Sequence, residues 1–382
     1  MTATDPNYYV PTDQLISAML QQREGVSDLI FSPGRPPQVE ARGELIPLPF
    51  QGFEVLTPQQ TLSIAEHLIG SNAVAATQFK DAGSADLSYA LAGVARFRVN
   101  VFKQRQSCAI VMRLIPVRIP SFQDLSLPEI LANIVPLRNG IVLVTGPTGS
   151  GKSSTLAAIV DRMNEERAIH ILTIEDPIEF IHSHKKATIH QRELHSDTPT
   201  FGLALRAALR QAPKVILVGE MRDRETIEIA LTAAETGHLV LSTLHTIDAS
   251  KTVERIVGAF EAGDQHAIRG RLAASFRYFV SQRLVPKKQG GRIAVLEILK
   301  STLRTREYME GGEGEGKTLL DAMRDGVMDG MQHFDGEIEK LVREGVLTPS
   351  TALLYATNPG NFRLQIADVM AEQSEEGSLV HY

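Results

Sequence analysis

The chain has 382 residues, 43% of them hydrophobic and 22% charged, a balance that excludes disorder throughout and supplies apolar surface for two domains. Its 39 lysines and arginines against 45 aspartates and glutamates leave a formal charge of −6, which argues against a protein that tracks nucleic-acid phosphates. The one cysteine, Cys108, excludes an internal disulfide and a cysteine-rich zinc site, fits a reducing compartment, and reads as a small buried hydrophobe. No apolar run reaches the ~18–20 residues of a membrane span, and the polar start, with Asp5 and no basic stretch, is not a secretory leader. A soluble, cytoplasmic protein with no transmembrane segment is the expectation.

The first 115 residues read as a small α+β domain. Leu15, Ile16, Met19 and Leu20 have helical spacing over Asp13–Gln22, and Ser27–Phe31 is a strand closed by the turn Ser32–Pro37. A strand over Gln38–Ile46 and a helix over Thr57–Ile69 follow, then alternating runs at Asp86–Leu91, Arg96–Phe102 and Ala109–Ile115 that read as an antiparallel meander. Residues 116–128, with Pro116, Pro120 and Pro128 and no periodicity, read as a linker. The remainder, residues 129–365, changes character. Apolar runs at Ile141–Thr145, His170–Ile174, Val215–Val218 and Leu239–Thr243 alternate with helical patterns at Lys152–Glu166, Phe201–Gln211 and Glu225–Thr236, which predicts a doubly wound α/β domain with buried parallel strands. Beyond Asp248 the pattern is helical over Ala249–Phe260 and His266–Leu284. A short strand at Ile293–Leu299 and further helices to about Thr357 follow, with a flexible loop at Gly311–Gly316 and an acidic tail over residues 366–382.

Chemistry concentrates at the ends of the parallel strands. Gly146-Pro147-Thr148-Gly149-Ser150-Gly151-Lys152-Ser153 matches the phosphate-binding pattern G-x-x-x-x-G-K-[ST] between a strand and a helix, the context that gives the motif its meaning. The glycines let backbone N–H groups turn toward phosphate oxygens, Lys152 reaches the β- and γ-phosphates, and the Ser153 hydroxyl is a hard ligand for Mg²⁺. Ser154 completes the nucleotide-binding set.

Ligands of open α/β sheets bind beyond the carboxyl ends of strands, and three more ends carry polar residues. Glu220 follows Val215–Val218 at the place of a Mg²⁺-holding or water-activating acid, with helix capping as the alternative. Glu175 follows the strand at His170 as a catalytic or metal-shell acid, while Asp176 before Pro177 serves a turn or the site equally well. His245 at the end of the Leu239 strand can sense a γ-phosphate or be a satisfied interface histidine, and His238 favours the second role. His182, His184, His190 and His195 lack the spacing of a closed metal site. Phosphoryl transfer also calls for a guanidinium, for which Arg96, Arg98, Arg105, Arg113, Arg206, Arg210 and Arg222 are the candidates, each with a solvated surface role as the alternative.

In chain order, Gly146–Ser153, Leu172–Phe180, Val215–Asp223 and Thr236–Thr246 resemble the Walker A, Asp box, Walker B and His box of the type II/type IV secretion ATPases. They are most similar to the pilus retraction branch, the PilT/PilU family. Ser27-Asp28-Leu29, Arg96–Phe102 and Met331–Asp335 extend the resemblance over nearly the whole chain. Two segments depart from the pattern: Ala212-Pro213-Lys214 replaces an acidic pair before the Walker B strand, and Thr302–Thr305 stands where an AIRAG-type box would lie. The resemblance implies a RecA-like P-loop ATPase domain behind a smaller PAS-like α+β domain, assembled as a homohexamer with ATP and Mg²⁺ between the domains. It implies a motor for type IV pilus retraction and twitching motility, peripheral at the inner membrane, with a polytopic platform protein and a related retraction ATPase as partners. Glu220 and Glu175 would be catalytic, His245 the His-box residue, and Arg98, Arg105 and Arg113 nucleotide-facing. Pilus-extension and type II secretion ATPases are the alternatives, against which one cysteine and 382 residues argue. A RecA-like nucleic-acid motor is disfavoured by the negative charge and the absence of tryptophan.

Overall fold

The computed structural model describes residues 10–116 and 118–371, and the chain divides into two units. The first comprises the residues up to Arg118 together with Glu179–Ile181; the second comprises the rest.

In the first unit, α1 (Thr12–Gln22), β1 (Val26–Phe31), β2 (Gln38–Ala41), β3 (Glu44–Pro47), α2 (Pro58–Ile69), α3 (Ala73–Asp81), β4 (Ser84–Leu91), β5 (Ala95–Gln104) and β6 (Ser107–Ile115) follow in order. The strands form one antiparallel sheet in the order β3-β2-β1-β6-β5-β4. Helix α2 starts from a capping box in which Thr57 accepts the Gln60 amide and the Gln60 side chain accepts the Thr57 amide, with Pro58 in the first turn. Its Ile64 and Leu68 join Leu15, Ile16 and Met19 of α1 over Phe97, Val99, Val101, Ile110 and Met112. Alternation along β5 therefore buries the apolar face and leaves Arg96, Arg98 and Asn100 on the other.

The second unit opens with β7 (Gly140–Thr145), α4 (Lys152–Glu166), β8 (His170–Glu175), β9 (Thr188–Glu193), α5 (Phe201–Ala208), β10 (Val215–Val218), α6 (Arg224–Glu235), β11 (Leu239–Leu244) and α7 (Ala249–Val257). It continues with α8 (Gln265–Ser275), β12 (Phe276–Pro286), β13 (Arg292–Lys300), α9 (Leu303–Gly311), α10 (Leu319–Asp325), α11 (Phe334–Arg343), α12 (Pro349–Tyr355) and α13 (Pro359–Gln365). The sheet order is β13-β12-β7-β11-β10-β8-β9, parallel except for the β12–β13 hairpin. Every residue of β7, β10 and β11 is buried, because helices cover both faces. Residues of α5, α6, α7 and α8 form the core on one side, and those of α4 and the turn at Glu129–Ile134 the core on the other. A separate cluster joins Val285 and Val295 of the hairpin to Phe334, Ile338, Leu341, Phe362 and Ile366.

Four expectations need correction, and two elements were not expected at all. The helix expected over His266–Leu284 is α8 followed by β12, a buried strand in which Phe276, Tyr278, Phe279 and Val280 pack; an apolar run of this kind does not tell helix from strand by periodicity. The single strand over Gln38–Ile46 is the hairpin β2–β3, turned by Arg42 and Gly43 at positive φ. Strand β9 and helix α3 have no counterpart in the sequence reading. Linker character does not extend to Pro128, since Phe122 and Leu127 are buried in the core beside α4. The acidic tail does not begin at 366, because Ile366 is buried and Val369 and Met370 pack beside it; residues 372–382 lie outside those described.

Candidate active site

Strand β7 ends at Thr145, and the chain then turns through Gly146 to Gly151 into α4. Both turning points demand glycine. A Cβ on Gly146, at φ 143°, would lie 2.3 Å from the Gln282 carbonyl oxygen, and one on Gly151, at φ 89°, would lie 2.8 Å from Gln282 Nε2. Pro147, Thr148 and Gly149 are exposed at the tip, as is Ser153 at the start of α4, whereas Gly146, Ser150 and Lys152 are buried and Ser154 is half-buried. The Lys152 ammonium donates to the carbonyls of Gly146 (2.9 Å) and Pro147 (3.0 Å), so it lies within the loop it would share with a phosphate. Burial lowers its pKa below the ordinary lysine value and Glu220 partly restores it. The Ser150 hydroxyl is buried with no hydrogen-bond partner, a state that costs about 1–3 kcal/mol unless a ligand group supplies one.

Glu220 sits just past β10, and side chains of β11 hold that strand end. Ser242 Oγ donates to the Val218 carbonyl and Thr243 Oγ1 to the Gly219 carbonyl, each at 2.6 Å. The Glu220 carboxylate is only 13% exposed; its Oε2 lies 2.5 Å from Arg222 Nε and 3.6 Å from His245 Nε2. Burial and then the Lys152 ammonium hold the His245 pKa below the usual histidine value, against the pull of Glu220, so the imidazole is neutral at neutral pH. Three strand ends thus bring Lys152, Glu220 and His245 into one electrostatic group.

Glu175 ends β8, where it accepts from Thr173 Oγ1 (2.6 Å) and from Gln191 Nε2 (3.1 Å) of β9. The backbone of Gly219 lies beside it: a Cβ there would be 3.4 Å from the Glu175 Cα. His238 stays outside this group: its Nδ1–H donates to the Ala233 carbonyl (3.1 Å) at the end of α6, the satisfied role expected of it. Asp223 caps α6 through the Thr226 amide.

Sequence reasoning missed Gln282, which is almost fully buried on β12 and whose amide touches the loop at Ser150 and helix α4 at Thr155. It missed Glu297 as well. That carboxyl, buried on β13, accepts from the Ala249 amide (2.8 Å) at the start of α7 and from Ser281 Oγ (3.3 Å), which accepts in turn from Thr145 Oγ1 (3.2 Å). Burial pushes its pKa up to about 7. The helical spacing over His266–Leu284 hides β12, so the register that places Ser281 and Gln282 beside β7 is not available from spacing.

The three arginines belong to the first unit. Arg105 is at the tip of the β5–β6 turn, where Arg105 and Gln106 both have positive φ. Arg98 pairs across the sheet with Arg113, and Arg113 with Asp28. Arg113 Nε donates to the buried Asp28 carboxylate at 3.0 Å while most of its side chain remains exposed.

Among the described residues no group of three or more His, Cys, Asp or Glu is arranged to hold a metal ion, and no helix is long and apolar enough to cross a membrane. His184 accepts from the Ile189 amide and His190 bonds to His170.

The profile of the family described as "Type II/IV secretion system protein" matches residues 80–344. The type IV pilus retraction ATPase PilT of Pseudomonas aeruginosa is 42% identical over 89% of this chain and 97% of its own. The type IV pilus ATPase PilU of the same organism is 37% identical over 93% and 91%. A crystal structure of the pilus retraction motor PilT with bound ADP superposes with a TM-score of 0.81 at 39% identity, covering 91% of this chain and 98% of that one. The Legionella pneumophila ATPase DotB superposes at 0.79 with 28% identity, covering 93% and 97%. With the phosphate loop, the acid after β10 and the histidine after β11 carried on a RecA-like sheet behind a separate α+β unit, the chain belongs to the type II/IV secretion ATPases, on the branch of the pilus retraction ATPases.

Proposed function

We propose that this chain is a motor that couples ATP hydrolysis at the loop between β7 and α4 to withdrawal of type IV pili. The observation that carries the reading is the convergence of Lys152, Glu220 and His245 beside a loop whose buried Ser150 hydroxyl has no partner. A phosphate oxygen satisfies that hydroxyl, and a peptide rim turned by glycine supplies donors to the same anion. PilT is the relative whose crystal structure holds ADP.

In this reading the nucleotide-binding set is Gly146, Pro147, Thr148, Gly149, Ser150, Gly151, Lys152, Ser153 and Ser154. Lys152 exchanges its two carbonyl partners for phosphate oxygens, which its charge favours over neutral acceptors. The exposed hydroxyl of Ser153 suits a Mg²⁺ ion, whose role when bound is to neutralise charge on the phosphates. Glu220 orients the attacking water and takes its proton, shielded enough from solvent for the interaction to be strong. His245, neutral beside Glu220, offers a hydrogen bond to a γ-phosphate without competing for the carboxylate as a cation. Glu175, held by Thr173 and Gln191, is a second acid for the metal's water shell.

Arg98, Arg105 and Arg113 would supply the guanidinium charge. Two arginines directly opposed on neighbouring strands repel, and an anion across that face relieves the repulsion. The chain is proposed to work as a homohexamer at the cytoplasmic face of the inner membrane, with a platform protein and a related retraction ATPase as partners. The test is complementation of a strain lacking its own retraction ATPase: the wild-type chain restores twitching and the Lys152→Ala chain does not. Equal complementation by both would refute the reading.

A further inference from the structure

Gln282 is the residue by which the sheet grips the phosphate loop from behind. It lies on β12, which runs parallel to β7, and its side chain reaches across to the loop. Its Nε2 donates to the Ser150 carbonyl at 2.6 Å, and its Oε1 accepts from Thr155 Oγ1, in the first turn of α4, at 2.8 Å. One amide thus donates to the loop and accepts from the helix, a combination that neither glutamate nor methionine reproduces. The backbone of Gln282 also presses on Gly146, which leaves no room there for any side chain.

The bond to Ser150 has a consequence for the peptide that carries it. In a trans peptide the C=O and the following N–H point in opposite directions. Drawing the Ser150 carbonyl toward β12 therefore turns the Gly151 N–H away from β12. At Gly151 the chain is in the left-handed region, φ 89°, the conformation that lets successive amides of such a loop line an anion cradle. Were the Ser150 carbonyl released, the peptide could rotate and present oxygen rather than N–H to a phosphate.

We infer that Gln282 is a positioning residue for nucleotide binding: it fixes the Ser150–Gly151 peptide so that the Gly151 N–H faces the phosphate. The inference rests on the reading of the loop as a nucleotide site. The next residue, Arg283, points to the opposite face, where its guanidinium stacks 3.7 Å from the Phe334 ring and donates to the Tyr355 carbonyl at 2.6 Å. That anchorage fixes β12 independently of the loop, so the strand serves as a stationary support for Gln282.

The test is equilibrium binding of a fluorescent ADP analogue to the full-length chain. Wild type should bind. Gln282→Met, which keeps length and loses both hydrogen bonds, should bind about tenfold more weakly, the effect of one charge-assisted hydrogen bond. Gln282→Glu keeps the acceptor for Thr155 and loses the donor to Ser150, so it should lose at least as much and reports the same bond if the Met variant fails to fold. Thr155→Val keeps the Ser150 bond and should stay within about threefold of wild type. In turnover, Gln282→Met should raise KM with little change in kcat, which a general loss of core packing would not do. Failure of the wild-type chain to bind would remove the nucleotide reading itself. Wild-type binding with unchanged affinity in Gln282→Met and Gln282→Glu would overturn only the role of Gln282, as would an equal loss in Thr155→Val, which would assign the effect to the α4 contact.

Discussion

Glu297 is a carboxyl kept in the core because two donors converge on it, the Ala249 amide and the Ser281 hydroxyl. Both favour the ionised form, yet loss of water dominates and raises its pKa to about 7. Above the ordinary glutamate value of 4.5 the unfolded chain releases this proton, while the folded chain holds it until about 7. Stability from this residue is therefore intact below that ordinary value and is lost as pH rises to the folded value. A Glu297→Gln chain keeps an acceptor for Ala249 and titrates nothing, so going from about pH 5 to about pH 8 it should gain on wild type by up to about 3 kcal/mol. Thermal denaturation at the two pH values measures this, and a stability difference that does not change with pH would contradict it.

At the scale of elements, β12 is the part of the site that spacing concealed. Most of the phosphate loop, the acids at the ends of β8 and β10 and the histidine after β11 were legible because each is a local pattern: a strand, a short polar segment, a helix. Gln282 and Glu297 act across the sheet, and nothing in their own neighbourhood marks them. The alternation of β5 was legible for the opposite reason, since its arginines and its apolar residues occupy different faces of one strand. Strand β9, with Thr188, His190 and Arg192 among its residues, lacks the apolar run of a central strand because it closes the sheet at its edge. The tight approach of β12 to the loop makes a direct prediction: Gly146→Ala places a methyl 2.3 Å from the Gln282 carbonyl oxygen and 2.7 Å from Ser150 Oγ. The expected cost is on the order of 2–4 kcal/mol, together with loss of nucleotide binding. A denaturant midpoint unchanged from wild type would show that the loop yields more easily than this contact allows.

The whole molecule carries Arg98, Arg105 and Arg113 on one unit and its phosphate loop on the other. If guanidinium groups complete the site on assembly, specific ATPase activity should rise with protein concentration through the range in which subunits associate. Arg105→Ala should lower that activity with little effect on folding, because Arg105 is at a turn tip. Activity independent of concentration across assembly would remove the arginines from the mechanism and leave the loop assignment in place.

Glu220 is proposed to activate water for attack on ATP bound at the loop. Glu220→Gln preserves shape and removes the proton acceptor, whereas the phosphate contacts of Lys152 and the loop remain. Rapid-quench measurement of a single turnover with labelled ATP and Mg²⁺ separates binding from cleavage. Glu220→Gln should retain bound ATP with an affinity near wild type and cleave it at least about a hundredfold more slowly. Cleavage within a few-fold of wild type would contradict it.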